Sequence, residues 1–229
     1  MAPLWEQGYR GFFLDTLDSY QLATTDIKHR ASQQLALAGL IKSMHSRFPG
    51  VKLIFNRGFE LLPEISQYVY AVAAESLYQG WNATSKTYTE VTGSDREWLL
   101  NRLNQAHKEY GLPIIAIDYV APNRRGLARE AASKIKALGF TPWVSNPAMD
   151  MMGVGGLEVF PKRILALYDG GGTTGGFLKS TLFKILVKLL GYFGYTFEYR
   201  DVQKELPLFC LVGQYTVIVT RFSKNSGLQ

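Results

Sequence analysis

Five short apolar runs, each closing on a polar side chain, constrain the fold of this chain more than any other feature. They are Gly11-Phe-Phe-Leu-Asp15, Val51-Lys-Leu-Ile-Phe-Asn56, Tyr70-Ala-Val-Ala-Ala-Glu75, Ile114-Ile-Ala-Ile-Asp118-Tyr119 and Thr141-Pro-Trp-Val-Ser-Asn146. Helical or irregular stretches separate them. Continuous apolar strands alternating with helices predict an α/β fold whose parallel sheet is covered on both faces. A barrel and an open doubly wound sheet share that pattern. The polar residue recurring at every strand end favours a (β/α)8 TIM barrel, which draws its site from several strands on one rim. An open sheet concentrates its site at one switch point instead.

The connections read in the same way. Residues 27–48 carry helical periodicity through Leu37, Ala38, Leu40, Ile41 and Met44, and stop at Pro49-Gly50. Residues 61–68 read as a short crossover. Residues 95–110 read as a helix capped by Ser94 with Glu97 three residues on. Residues 124–138 form another helical pattern, ending at Gly139. A full barrel has eight strands and about 250 residues, so five strands predict only its C-terminal part, with the fifth run as the last strand. A sheet of this kind is expected to be open between residues 11–15 and 141–145, and its free edge is expected to promote self-association. After Gly153-Val-Gly-Gly156 the pattern restarts. Residues 162–168 form a strand, 169–176 a glycine-rich loop, 177–193 a helix, and 196–199 and 215–220 further strands. The expected division is residues 1–157 as a partial barrel domain and 158–229 as the start of a second α/β domain.

Composition narrows the function classes. Hydrophobic residues make up 47% of the chain and charged residues 19%, which suits a folded core. The net charge of +6 is scattered, with no basic run carrying interleaved aromatics, so a nucleic-acid partner is not expected. No stretch reaches 18 apolar residues, and Lys179, Lys184 and Lys188 interrupt the most lipid-like segment, so no membrane span is expected. The first residues do not read as a signal peptide. The single cysteine, Cys210, sits in an apolar run and reads as a buried thiol.

The strand ends carry the chemistry. Asp15 ends the first run and Asp18 follows three residues on; Asn56, Arg57 and Glu60 follow the second, Glu75 the third, Asp118 the fourth. A carboxylate behind an apolar run costs free energy if buried unpaired, so several on one rim point to a site. Glycoside hydrolysis needs two such groups, one protonated and one ionised. The bland reading is that these acids cap helices or pair with Arg57. Tyr20, Trp81, Tyr119 and Trp143 also follow strands and are candidates to stack on sugar rings or simply to pack.

The motifs Gly11-Phe-Phe-Leu-Asp-Thr-Leu-Asp-Ser-Tyr20, Leu53-Ile-Phe-Asn-Arg-Gly-Phe-Glu60, Ala73-Ala-Glu-Ser76 and Ile115-Ala-Ile-Asp-Tyr119 together resemble glycoside hydrolase family 114. That family takes in endo-α-1,4-polygalactosaminidases and the hydrolase domains of Pel-type biofilm polysaccharide proteins. The resemblance covers roughly residues 5–157. It implies a hydrolase of α-1,4-linked galactosamine or N-acetylgalactosamine polysaccharide, with no metal and no cofactor, in the periplasm or secreted. It places the catalytic acids at Asp15 and Glu75. Asp15, in a polar neighbourhood, is the expected nucleophile or base. Glu75, behind an apolar run, is the expected general acid. Asp18, Tyr20, Asn56, Arg57, Glu60, Trp81, Asp118, Tyr119 and Trp143 are the expected substrate contacts. A cationic polymer would be repelled by a chain of +6 unless those acids make the cleft locally negative.

Two other readings stand beside this one. Residues 169–176 fit the spacing of a phosphate-cradling glycine turn, but without a P-loop lysine or a confidently placed acid on a second strand. The partial barrel can also serve as a carbohydrate-binding scaffold without catalysis.

Overall fold

The computed structural model describes residues 1–168, 181–204, 211 and 214–221. The proposed glycine-turn phosphate site and Cys210 lie outside the described residues. The chain divides into two compact units. The first comprises residues 1–120, 126–144 and 154–156, and the second residues 121–125, 145–153 and 157–229.

The first unit opens with a short helix α1 (Ala2–Glu6) and strand β1 (Gly11–Leu14), then α2 (Tyr20–Ala23) and the long α3 (Ile27–Arg47). Strand β2 (Lys52–Asn56) follows, then a 3-10 turn, the single helical turn α4 (Leu62–Ile65), a second 3-10 turn and β3 (Ala71–Glu75). A hairpin of β4 (Gln79–Asn82) and β5 (Thr87–Glu90) comes next. Then come α5 (Gly93–Tyr110), β6 (Ile114–Tyr119), α6 (Arg125–Ala137), β7 (Thr141–Ser145) and the two-residue β8 (Val154–Gly155). Six of these strands form one sheet in the order β1-β2-β3-β6-β7-β8. The pairs β1–β2, β2–β3 and β3–β6 are parallel, and β7–β8 is antiparallel. This is an α/β fold of the TIM-barrel-like type, with a mostly parallel sheet. The antiparallel β8 was not expected. Among the described residues it covers the outer side of β7, so the sheet's edges are β1 and β8 rather than β1 and β7.

The sheet's two faces differ because side chains alternate along each strand. Leu53, Phe55, Val72, Ala74, Ile114, Ala116 and Val144 are all buried in one large core. Into this core α3 inserts Ala38 and Ile41, α5 inserts Leu99, Leu103 and Ala106, and α6 inserts Ala128, Ala131, Ala132 and Ile135. Each large side chain buried there contributes about 1.5–3 kcal/mol. The opposite face carries a smaller cluster, in which Ala73, Ile117 and Tyr119 pack with Ile54, Ile115, Trp81 and Trp143. That face leads up to the strand-end side chains of the site.

Two helix starts are set by side-chain caps. Asp26 accepts a bond from the Lys28 amide at the head of α3. At α5 the cap is Thr92, which accepts from the Asp95 amide while its hydroxyl donates to the Asp95 carboxylate. The expected Ser94–Glu97 pairing is therefore displaced by two residues. Thr92-Gly-Ser-Asp95 has the same one-to-four spacing, and Thr92 takes the extended backbone a cap requires. Gly58 is needed for a different reason. Its φ is +71°, and a Cβ placed there would come within 2.9 Å of the Leu17 Cβ. Gly58→Ala is expected to cost about 1–3 kcal/mol through backbone strain and overpacking. A melting temperature unchanged from the parent would contradict this.

The second unit holds a three-stranded parallel sheet in the order β10-β9-β11. Its elements are β9 (Arg163–Tyr168), α7 (Thr181–Tyr192), β10 (Thr196–Asp201) and β11 (Val217–Arg221). Among the described residues no helix is long and apolar enough to cross a membrane.

Candidate active site

Three neighbouring strands deliver three polar residues to one place. Asp15 immediately follows β1, Asn56 ends β2 and Glu75 ends β3. The register pairs Phe13 with Ile54 and Asn56 with Ala73, so alternation puts Asp15, Asn56 and Glu75 on the same face of the sheet. Each is followed directly by a non-glycine residue in the left-handed region: Thr16 at φ 49°, Arg57 at φ 59° and Ser76 at φ 63°. That conformation costs roughly 1–2 kcal/mol per residue. The turns are held in place by backbone bonds to the next strand. The Leu17 amide donates to Asn56, the Arg57 amide to Ala73, and the Ser76 amide to Ile117. Strain repeated at three successive strand ends marks a set of side chains whose direction matters.

Asn56 joins the two acids. It is 4% exposed, and its Nδ2 donates to Asp15 Oδ1 at 2.7 Å and to Glu75 Oε1 at 3.0 Å. The amide orientation follows from its neighbours, since reversing it would set an acceptor against two carboxylates. Its Oδ1 is buried without a hydrogen-bond partner among the described residues. A buried acceptor left unpaired costs about 1–3 kcal/mol, so the residue is kept for what its nitrogen does. One amide nitrogen thus bonds both carboxyl groups, which holds them close enough to flank a single bond.

Tyr119, the last residue of β6, closes the group. Its hydroxyl donates to Glu75 Oε2 at 2.8 Å. Burial pushes the Tyr119 hydroxyl well above its ordinary value, and the bond to Glu75 and the charges of Glu75, Asp15 and Asp118 push the same way. It therefore keeps its proton throughout the neutral range. Thr16 Oγ1 donates to Asp15 Oδ1 at 3.1 Å. Arg57 lies 3.7 Å from Asp18, so this cation faces the outlying acid.

The other expected contacts divide between this face and other parts of the first unit. Asp118 adjoins Tyr119 and so points to the opposite face, where it is fully buried. It accepts bonds from the amides of Leu77, Tyr78 and Gln79 at 2.7, 3.0 and 2.9 Å. Burial pushes its carboxyl up, and those three amide bonds pull it back. Asp118 is thus a brace for the loop after Glu75, not the substrate contact expected. Glu60 sits in the 3-10 turn after β2 and lines a separate small cavity with Phe59, Arg102 and Tyr110. The short turn carries it away from the pair. Tyr20 opens α2, and no hydrogen bond among the described residues brings it to the pair. Trp143 packs on the site face against Tyr119 and its neighbours. Trp81 lies on the hairpin, edge-on to Tyr88.

A cavity of about 640 Å³ opens beside Glu75. Arg57, Ser76, Gly80 and Trp81 line its near side, and Glu90, Asp95 and Trp98 line it further out. The sequence reading missed the last three. Trp98 reads as part of an apolar helix face, and Glu90 lies on a hairpin strand exposed along its whole length. Among the described residues no group of three or more His, Cys, Asp or Glu side chains could hold a metal ion.

Parallel strands that bring two carboxylates onto one amide define a protein of the TIM-barrel-like α/β class, with a candidate site at the strand ends. The chain belongs to glycoside hydrolase family GH114, whose sequence model matches residues 1–162. It is similar to the solved glycoside hydrolase domain of PelA from Pseudomonas aeruginosa, with 47% identity and a TM-score of 0.64. The match covers 69% of this chain and 61% of that one. A variant of the same domain, with a glutamate replaced by alanine, matches at 46% identity with the same TM-score and coverage. This chain therefore spans less than two thirds of the solved relatives. No curated protein matches it.

Proposed function

We propose that this chain supplies the catalytic pair of a glycoside hydrolase acting on α-1,4-linked galactosamine or N-acetylgalactosamine polysaccharide, and that the reaction retains anomeric configuration. The observation that carries this is the single amide nitrogen of Asn56 shared by Asp15 and Glu75. Asp15 is the nucleophile and Glu75 the acid that later turns base. Asn56 meets both carboxyl groups through its nitrogen, a donor that an oxygen of either a carboxylate or a carboxylic acid can accept. Tyr119 holds the other Glu75 oxygen through a hydroxyl, which can donate to a carboxylate or accept from a carboxylic acid. Glu75 can thus change protonation state without breaking its contacts, as double displacement requires of the acid.

The same reading takes residues 1–157 as the C-terminal part of a barrel and 158–229 as the start of a second α/β domain, acting in the periplasm or secreted. The free edge at β1 is the proposed route to self-association. The test joins this chain to the preceding βα units of a complete family barrel and supplies a galactosamine polymer. Release of reducing ends, with the α-anomer appearing first by NMR, is the expected result. A first-formed β-anomer overturns retention, and no release overturns the hydrolase reading.

A further inference from the structure

Of the three residues strained at successive strand ends, Thr16 is the one whose side chain, among the described residues, bonds the strand-end group before it. Arg57 turns instead to Asp18, and the Ser76 hydroxyl lies against Gly80. A φ of 49° is costly for any side chain and most of all for a β-branched one. Glycine at this position would remove that strain. The backbone around Thr16 is pinned: the Leu17 amide donates to the Asn56 carbonyl at 3.2 Å, and the Thr16 carbonyl accepts from the Ser19 amide at 3.1 Å. Thr16 is exposed, so its methyl group gains little from packing. What threonine offers here and glycine does not is a hydroxyl, and Oγ1 donates to Asp15 Oδ1 at 3.1 Å.

The consequence falls on Asp15. Asn56 Nδ2 reaches the same oxygen, Oδ1, at 2.7 Å. Two donors therefore sit on Oδ1, while Oδ2 has no hydrogen-bond partner among the described residues. Glu75 differs, since Asn56 holds its Oε1 and Tyr119 its Oε2. In double displacement a lone pair on one oxygen of the nucleophile forms a bond to the anomeric carbon. The glycosidic C–O bond breaks, its electrons pass to the leaving oxygen, and that oxygen takes the proton of the acid. Water then attacks the same carbon and gives its proton to the second carboxylate, and the electrons of the ester C–O bond return to the nucleophile. With Oδ2 attacking, Oδ1 is the carbonyl oxygen of that ester. Donors on Oδ1 stabilise the charge that returns to it as the ester breaks, so they assist the second step most.

We infer that Thr16 is a positioning residue which, with Asn56, grips Asp15 by Oδ1 and leaves Oδ2 to attack the anomeric carbon. This rests on the hydrolase reading and carries it from the attacking residue to the attacking oxygen. The test uses the completed barrel with a galactosamine polymer as substrate. Asp15 and Thr16 are both exposed, so water competes for the hydroxyl and the effect is moderate. Thr16→Val keeps the branched shape and lowers kcat by about tenfold, the worth of one hydrogen bond to a charged group. KM falls with it, because the covalent sugar–enzyme accumulates when its breakdown is slowed. Mass spectrometry of acid-quenched protein detects that adduct. Thr16→Ser keeps the hydroxyl and stays within about twofold of the parent. Thr16→Gly loses activity as Thr16→Val does, yet melts no lower than the parent, since it sheds the strain at φ 49°. Parental kcat in the Val or Gly variant overturns the positioning role. Equal losses in the Ser and Val variants overturn it too, as does a fall in kcat with KM unchanged and no adduct. A parent barrel that releases reducing ends while these variants match it overturns the role of Thr16 alone. A parent barrel that releases none overturns the hydrolase reading and this inference with it.

Discussion

Asp15→Asn and Glu75→Gln each lower turnover by about a thousandfold or more while leaving the melting temperature within a few degrees of the parent. Both changes keep the shape of the side chain and delete only its charge and proton chemistry. In the first variant the new amide can still offer its carbonyl oxygen to the Asn56 nitrogen, which donates to Asp15 at 2.7 Å in the parent. In the second, the new amide can accept from Asn56 with its oxygen and donate from its nitrogen to the Tyr119 hydroxyl, which can act as acceptor. The network is preserved, so stability changes by less than about 1 kcal/mol. The chemistry is not. An amide at position 15 is a poor nucleophile toward an anomeric carbon. An amide at position 75 has no acidic proton to transfer to a departing sugar oxygen, a role worth about 10²–10⁴ in rate. The double variant should be little worse than either single one, because groups that act as a unit lose activity together. Steady-state kinetics on a galactosamine polymer with a completed barrel decide the matter. Either single variant retaining a tenth of parental turnover removes that residue from the pair.

Asp15 and Glu75 could be singled out in the sequence because each follows an unbroken apolar run, and the structure brings both to one amide. What the runs could not convey was the face on which each strand-end residue lies. Residues 114–117 are apolar on both sides of the sheet, so nothing in Ile114-Ile-Ala-Ile distinguishes Asp118 from Tyr119. Parity decides it: Glu75 is in register with Ile117, so Tyr119 shares its face and Asp118 does not. Glu60 was misplaced because a 3-10 turn begins at Phe59, and no apolar repeat reports a turn of three residues. The β4–β5 hairpin was invisible because Thr87-Tyr-Thr-Glu90 is exposed at all four positions and has no buried face to set a pattern. Asn56 was legible as a strand-end polar residue but not as a bridge, since bridging depends on two strands being neighbours.

Asp118→Ala destabilises the first unit by about 2–5 kcal/mol, and its effect reaches the site. The carboxylate is fully buried and satisfies three successive backbone amides, those of Leu77, Tyr78 and Gln79. Alanine removes their acceptor and leaves buried donors unpaired, at about 1–3 kcal/mol for each that water cannot reach. The Leu77 amide is the deepest of the three, since Leu77 itself is fully buried. Asp118→Asn is milder: one amide oxygen remains to accept, but its NH2 group must face a backbone N–H. The order of stability is therefore parent, then Asn, then Ala, read as midpoints of denaturant unfolding with an unchanged slope. The loop concerned runs from Ser76, held at φ 63° directly after Glu75, to the start of the hairpin that carries Trp81. Losing the brace frees both the acid and the cavity wall. Below its melting temperature the Asn variant should lose turnover by more than its small unfolded fraction explains, because the Glu75 carboxyl is no longer aimed. If Asp118→Asn loses activity only in proportion to unfolding, Asp118 serves stability alone and the loop positions nothing.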